Sequence, residues 1–586
     1  MRRLFALCLL LSASHLACAV DGADDKAKAL FAADWQWRMQ TQPELATALG
    51  ETRFNALLTD TSLSASLAAN EHEKAVLEQA KAIDGAALNA ANRLSLEMFI
   101  EQKERRLKAA SFYPYRYAPL TNQAGLHLTL PRLAVQMPFT NEADYRIYLA
   151  RLDAVPAQVD GLIEQMREAQ RLGWSAPKIS LRLLPAQLHQ LRETLISGPL
   201  GLPLRELPAT IPKAVRDELA SAGDISLRKH VAPALLKLED FIRLEALPAA
   251  RDSIAISALP SGAEYYQFLI SDSTDMSAAA VHALGLKEVA RIREAMRSAI
   301  GRTGFKGNFS QFAVFANSDA RLFPTSAERL LGRYRRQLAR AQAAAPRLFD
   351  NVPTEALAVR ASNEGSEDQG AAYYEAASDG RSAAIVVNTS KLNTRPLWET
   401  EVLVLHEGIP GHHLQVSRAR ALPDLPAFRR HAWYAPYGEG WALYAESLGR
   451  ELGFYQEPFS AFGALNAELL RAARLVADTG IHAMGWSRQQ AIDYLNANTA
   501  NNEADNEVEV DRYIAAPGQA LAYKLGQLRI AALREKAQAA LGERFDPRRF
   551  HGAVLDNGAM PLGLLDQQVE RWIRAAAAPA KAPPPG

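Results

Sequence analysis

Leu405-His406-Glu407-Gly408-Ile409-Pro410-Gly411-His412-His413-Leu414-Gln415 is the stretch that organises the reading of this chain. Three of the twelve histidines fall within it. A largely apolar helical run, Trp398 to Leu405, leads into it. His-Glu on a helix, with another His one turn on, presents two imidazoles and a carboxylate base to one metal ion. The usual separation of the imidazoles is about four residues; here it is six or seven. In a regular helix a separation of six puts the rings on different faces, and seven restores the face but adds about 10 Å of rise. Two ring nitrogens at about 2.0–2.1 Å from one zinc cannot be that far apart, so a regular helix fails. Pro410 removes a backbone donor and clashes with the carbonyl of His406. Gly408 and Gly411 admit unusual backbone angles. The sequence therefore predicts that Gly408 to Gly411 loops out two extra residues. His412 then returns to the second-ligand position and His413 points elsewhere.

Outward from this stretch, the chain has 586 residues, 48% hydrophobic and 22% charged. Length alone admits two to four domains as a soft prior. The composition is globular and excludes disordered and collagen-like classes. A formal charge of +1 gives no footing for nucleic acid or an anionic membrane surface.

The N-terminus reads as a secretory signal peptide. Arg2 and Arg3 precede an apolar run from Leu4 to Ala13, and Ala17-Cys18-Ala19 is a small-x-small cleavage site. The run is too short to span a bilayer. Lipidation through Cys18 is the second reading, because Leu16 sits one position late for a lipobox. Cleavage after Ala19 removes both cysteines, Cys8 and Cys18, with two arginines, leaving 64 basic residues against 65 acids. The mature chain then has no disulfide and no thiolate ligand, and a metal site must use His, Asp and Glu.

Most of the remainder carries helical periodicity. Between Ala278 and Ile300, Val281, Leu284, Leu286, Val289, Ile292, Met296 and Ile300 recur mostly three and four apart, as expected of a core-facing stripe. Ala327 to Ala344 and Leu528 to Leu541 read similarly. One region differs: Tyr373-Tyr374, the turn Ser378-Asp379-Gly380, then Ala384 to Asn388 predict a β-hairpin just before the motif helix. The strand at Ala384 to Asn388 is either internal or open to a peptide by β-addition.

The pattern His-Glu-x-x-Pro-Gly-His-x-x-Gln resembles that of a bacterial family catalogued as domain of unknown function 885, placed with the gluzincin metallopeptidases. Tyr437-Gly438-Glu439-Gly440-Trp441 to Glu446, Asp478 to Trp486, Asp511-Arg512-Tyr513-Ile514 and Pro517 to Lys524 resemble the family too. The resemblance covers nearly the whole mature chain and implies a zinc peptidase. His406 and His412 are then the imidazole ligands and Glu407 the general base acting on water. Gluzincin-like proteins take a third ligand from a Glu on a later helix. Here that is Glu439, with Glu446, seven residues on, as its competitor or as a hydrogen-bond acceptor for a ligating imidazole. For the oxyanion the resemblance implies Tyr523 first, then Tyr513, His482 and Arg512. Arg512 or Lys524 are alternatively holders of a substrate carboxylate, which favours carboxypeptidase action.

These readings predict a mainly α, gluzincin-like fold with a small β-sheet near the active-site helix and a deep substrate cleft. Residues 1–19 are the signal peptide. Residues 20–574 form a single large catalytic region, with two helical lobes as an option, and 575–586 a disordered tail. The expected cofactor is Zn2+, the partner a peptide and the location periplasmic or secreted, with no membrane span after cleavage. Oligomeric state stays open. A zinc amidase on a non-peptide or peptidoglycan amide uses the same water chemistry. A metal-containing binding protein without catalysis is a third reading, against which Glu407 argues, since a structural zinc needs no base.

Overall fold

A computed structural model describes residues 22–362, 370–377 and 381–578. The signal segment with Cys8 and Cys18, the Ser378-Asp379-Gly380 turn and residues 579–586 lie outside the described residues.

Helices dominate. Helix α1 (Ala90–Phe112) starts at Asn89, whose side chain accepts from the Asn92 N–H. Helix α2 (Ala278–Arg302) is capped in the same way by Ser277 and buries Val281, Val289, Ile292, Met296 and Ile300. Leu286, expected on that stripe, is 46% exposed, because it lies off the face those residues share. Helix α3 (Ala327–Ala344) is capped by Ser326.

Next comes the small sheet: β1 (Leu357–Ala361), β2 (Ala372–Glu375) and β3 (Ala383–Val387), in the order β1-β3-β2. β2 runs antiparallel to β3, with Tyr374 opposite Ile385, and β1 pairs parallel on the other side. The sequence reading missed β1, which is joined to the hairpin by a long connection. It also offered β3 to a peptide, and this needs correction. β3 is central, all five of its residues are buried, and both its edges are taken. The edge strands are β1 and β2.

The motif stretch forms helices α4 (Thr400–Glu407) and α5 (His412–Ala421). Then follow α6 (Ala435–Ser447), α7 (Pro458–Met484), α8 (Glu503–Ala515), α9 (Leu521–Leu541) and α10 (Leu562–Ala577). α10 runs to Ala577, so residues 575–577, expected in the tail, are helical.

Two hydrophobic cores account for most of the interior. One draws on residues between Leu120 and Ala250, the other on the first helices together with everything from α2 to α10. The larger core holds α4 between α3, α6 and α7. A buried acid anchors α4: Glu401 accepts from the Tyr455 N–H at 2.8 Å, the Ser460 hydroxyl at 2.6 Å and Arg340 at 3.1 Å. Helices α6 and α9 cross at bare backbone. A Cβ on Gly440 would lie 2.5 Å from the Cα of Gly526, so only glycine permits this approach. No described helix is long and apolar enough to cross a membrane.

Candidate metal centre

The break predicted between the two histidines is present. α4 stops at Glu407 and α5 starts at His412, with Gly408 to Gly411 between them. Gly411 lies so close to the end of α4 that a Cβ would sit 1.9 Å from the His406 carbonyl oxygen and 2.4 Å from that of Leu405. A side chain there would force the two helices apart. The Trp441 indole N–H donates to the Pro410 carbonyl at 2.9 Å and ties the loop to α6.

This loop brings the rings of His406 and His412 to 4.8 Å between centroids, nearly perpendicular at 88°. Nε2 of each lies 3.6 Å from the same oxygen, Oε2 of Glu439 on α6. Bonds of about 2.0–2.1 Å arranged tetrahedrally give ligand–ligand separations of about 3.3–3.4 Å. The three residues can therefore hold one metal ion, and their donor atoms are of the type zinc takes. His413 turns away. Its Nδ1 lies 3.4 Å from the hydroxyls of Tyr374 and Ser417, and burial lowers its pKa.

Glu446 is hydrogen-bonded to a site imidazole: His406 Nδ1 is 2.7 Å from its Oε1, and Arg471 of α7 lies 3.5 Å from that oxygen. This contact fixes the His406 ring with Nε2 toward Glu439. His412 Nδ1 makes no hydrogen bond to a described residue, and its ring instead rests against Trp433 at 5.7 Å. Glu407 is buried beside the pair, and its Oε2 accepts the N–H of Tyr374 on β2 at 2.9 Å.

The electrostatics of the site favour positive charge. Burial disfavours a charged His406, yet Glu407, Glu439 and Glu446 outweigh burial and raise its pKa to about 10. Burial likewise pushes Glu439 up, but hydrogen bonds from His406 and His412 hold it well below the usual carboxylate range. Three carboxylates surround two imidazoles, and a dication would balance them as protons do.

Three of the four expected oxyanion groups are engaged elsewhere. His482 is fully buried and spent on backbone. Its Nδ1 accepts from the Ile256 N–H at 3.1 Å, and its Nε2 donates to the Tyr513 carbonyl at 3.0 Å. It has no N–H left for a substrate, which corrects the sequence reading. The buried Tyr513 hydroxyl donates to Glu509 at 2.8 Å, and Arg512 donates to the same carboxylate at 2.9 Å. Both are engaged in an ion-pair cluster with Arg474. Lys524 is fully buried against Glu468 and Glu288, which removes it as a holder of substrate. Tyr523 lies under the Arg474 guanidinium at 4.6 Å, and its hydroxyl makes no hydrogen bond among the described residues. No hydrogen bond or ion pair links it to the metal ligands.

Trp433, Tyr374 and Arg471 belong to the site, yet none was singled out for it from the sequence. Trp433 stands six residues before Glu439, which is the one sequence signal it carried. Nothing local marks the other two.

Fold and site together define a large, mainly helical protein with a buried His-His-Glu centre and an acid beside it. The chain matches the family described as bacterial protein of unknown function (DUF885) over residues 43–569, and it belongs to that family. It is similar to the crystal structure of a candidate lipoprotein from Colwellia psychrerythraea, with 26% identity, 94% of this chain and 100% of that chain covered, and a TM-score of 0.88. A candidate lipoprotein of unknown function from Shewanella oneidensis shares the fold at 17% identity, with 93% and 99% covered and a TM-score of 0.68. A candidate oligoendopeptidase F from Bacillus anthracis aligns at 12% identity over 86% and 96%, but a TM-score of 0.28 carries no argument. No curated protein matches the chain.

Proposed function

We propose that this protein is an exported zinc-dependent peptidase that hydrolyses peptides or oligopeptides. The observation that carries the reading is the shared 3.6 Å approach of His406 Nε2 and His412 Nε2 to Glu439 Oε2, with the Glu407 carboxylate buried alongside. His406, His412 and Glu439 would hold the ion. When bound, zinc supplies Lewis acidity that acidifies water and polarises a carbonyl. Glu407 takes and returns the proton at its carboxylate. The Tyr374 N–H orients that carboxylate and Glu446 orients His406. Tyr523, with its free hydroxyl, is the remaining candidate for a donor to the oxyanion.

A peptide is favoured over other amides by the edge of β2. No described strand pairs with it, and its backbone reaches Glu407 through Tyr374. An extended substrate added to that edge would lie along the metal centre, held by main-chain hydrogen bonds. The test is digestion of a peptide library read by mass spectrometry. Cleavage should stop with a chelator, return with zinc and be absent in Glu407→Gln. A library left intact, together with turnover of a peptidoglycan or small-molecule amide, would replace the peptidase by the amidase.

Export rests on the N-terminal pattern, Arg2 to Ala19. The two structural relatives are described as candidate lipoproteins, which favours lipidation at Cys18 as the second reading. Palmitate labelling of the wild type and Cys18→Ser separates an anchored from a free exported form.

A further inference from the structure

A cavity of about 990 Å3 lies beside the metal centre, at the upper end of the roughly 300–1,000 Å3 usual for ligand sites. Trp433 belongs to both. Its ring packs against His412, 52% of the residue is exposed, and it lines the cavity. The lining continues through Tyr434 to Tyr437, which lead directly to Glu439 on α6. The cavity thus adjoins the ligands along the chain and through a shared aromatic wall.

Its charges are unevenly matched. Every arginine in the lining has a partner. Arg105 pairs with Asp272 and donates to the Phe268 carbonyl at 3.0 Å. Arg106 pairs with Glu73, and Arg529 donates to Asp566 at 2.8 Å. Glu101 and Asp275 also line the cavity, and neither makes a hydrogen bond or ion pair among the described residues. Glu101 is half-buried on α1, and burial pushes its carboxyl up. The Tyr434 hydroxyl is buried without a hydrogen-bond partner. Arg105, one turn along α1, only partly offsets that burial and is itself paired with Asp272, so the half-buried carboxylate gains from a cation that joins it. Trp433 and Tyr265 also line the cavity, and aromatic rings attract a cation of the same kind.

We propose that this cavity receives a positively charged group of the substrate peptide, either a Lys or Arg side chain or a free α-amino group, with Glu101 as its counter-charge. The proposal rests on the peptidase reading and narrows it to a class of peptide. Asp275, at the exposed side, adds attraction at longer range.

The test is a binding titration with zinc-loaded Glu407→Gln protein, so that bound peptide stays uncut. One arm compares an N-acetylated hexapeptide containing Arg with its citrulline counterpart. The other compares a neutral hexapeptide with a free and with an acetylated amino end. At least one arm should show a preference for charge of about tenfold, as a charge-assisted hydrogen bond provides. The ratio should fall toward one in Glu101→Gln, and binding of the neutral peptide by that variant reports its fold. Asp275→Asn, at an exposed position, should lower the ratio less. Equal binding of charged and neutral peptides in both arms would overturn the proposal, as would a preference that survives Glu101→Gln. Wild-type protein that binds the charged peptide preferentially but cuts none would uphold the cavity assignment and remove the peptidase reading instead.

Discussion

His406 and His482 are both buried inside the same core, yet burial leaves them at opposite ends of the basicity scale. His406 is raised to about 10 and His482 is lowered to about 4. Desolvation acts against the charged ring in each. At His406 the carboxylates of Glu407, Glu439 and Glu446 overcome it. At His482 the partners are an amide N–H and a carbonyl, which satisfy a neutral ring and give a proton little reason to stay. The first ring turns its Nε2 toward a carboxylate that it shares with His412, while the second is completed by backbone groups. What separates the two histidines is the destination of the second nitrogen.

The sharpest way to break this comparison is to delete both rings. His406→Ala should cut metal content from about one ion per chain to nearly none by elemental analysis, whereas His482→Ala should keep the ion. Loss of metal in the second variant, once it is shown to be folded, would erase the distinction.

Next in size is the base. Glu407→Gln should retain the ion and lower kcat by about 10²- to 10⁴-fold, the usual contribution of a positioned proton acceptor. An active variant would leave the metal ligands in place and take Glu407 out of the chemistry. A smaller effect is expected at Glu446, which holds His406 without touching the ion. Glu446→Gln should weaken metal affinity about 10- to 100-fold in a competition titration with a chelating dye. Unchanged affinity would mean that the 2.7 Å contact does not orient the ring.

The last effect concerns stability alone. A histidine with a folded pKa of about 4 and an ordinary value near 6.5 when unfolded binds fewer protons in the native state between those limits. Stability therefore falls as pH drops from about 6.5 toward 4, by about 3 kcal/mol for one such group at the acid end. His551 carries a similar shift, so His482→Gln should flatten only part of the acid loss in urea unfolding. A stability profile identical to the wild type over this window would show that His482 already binds its proton when folded.

Much of the fold was readable locally. The stripes at Ala278 to Ile300 and Ala327 to Ala344 became helices at those positions, and the hairpin of Tyr373-Tyr374 with Ala384 to Asn388 pairs as expected. Helix caps and period-two alternation depend on neighbours a few residues away, so a single sequence displays them. β1 escaped because its parallel partner is reached only through a long connection, and turn chemistry does not announce such pairings. The family motifs around Asp478 and Asp511 were legible as motifs but not as roles. Asp478 binds the Tyr266 hydroxyl and the Gly518 N–H, and Arg512 and Tyr513 converge on Glu509, so these motifs build the interior around α7 to α9.

The sequence by itself determined the donor types and the irregular helix. Pro410 and the two glycines act through steric limits on a few adjacent dihedrals, and no distant residue is needed to see that His406 and His412 cannot share a straight helix. Only the tertiary structure brought Glu439 rather than Glu446 beside the Nε2 atoms of His406 and His412, turned His413 away and engaged His482 with backbone. Those outcomes depend on how α6 crosses α9 at Gly440 and Gly526, and on which backbone groups each buried side chain meets. Long-range packing aims a side chain at a neighbour or at an open point, and spacing along the chain carries no record of that choice.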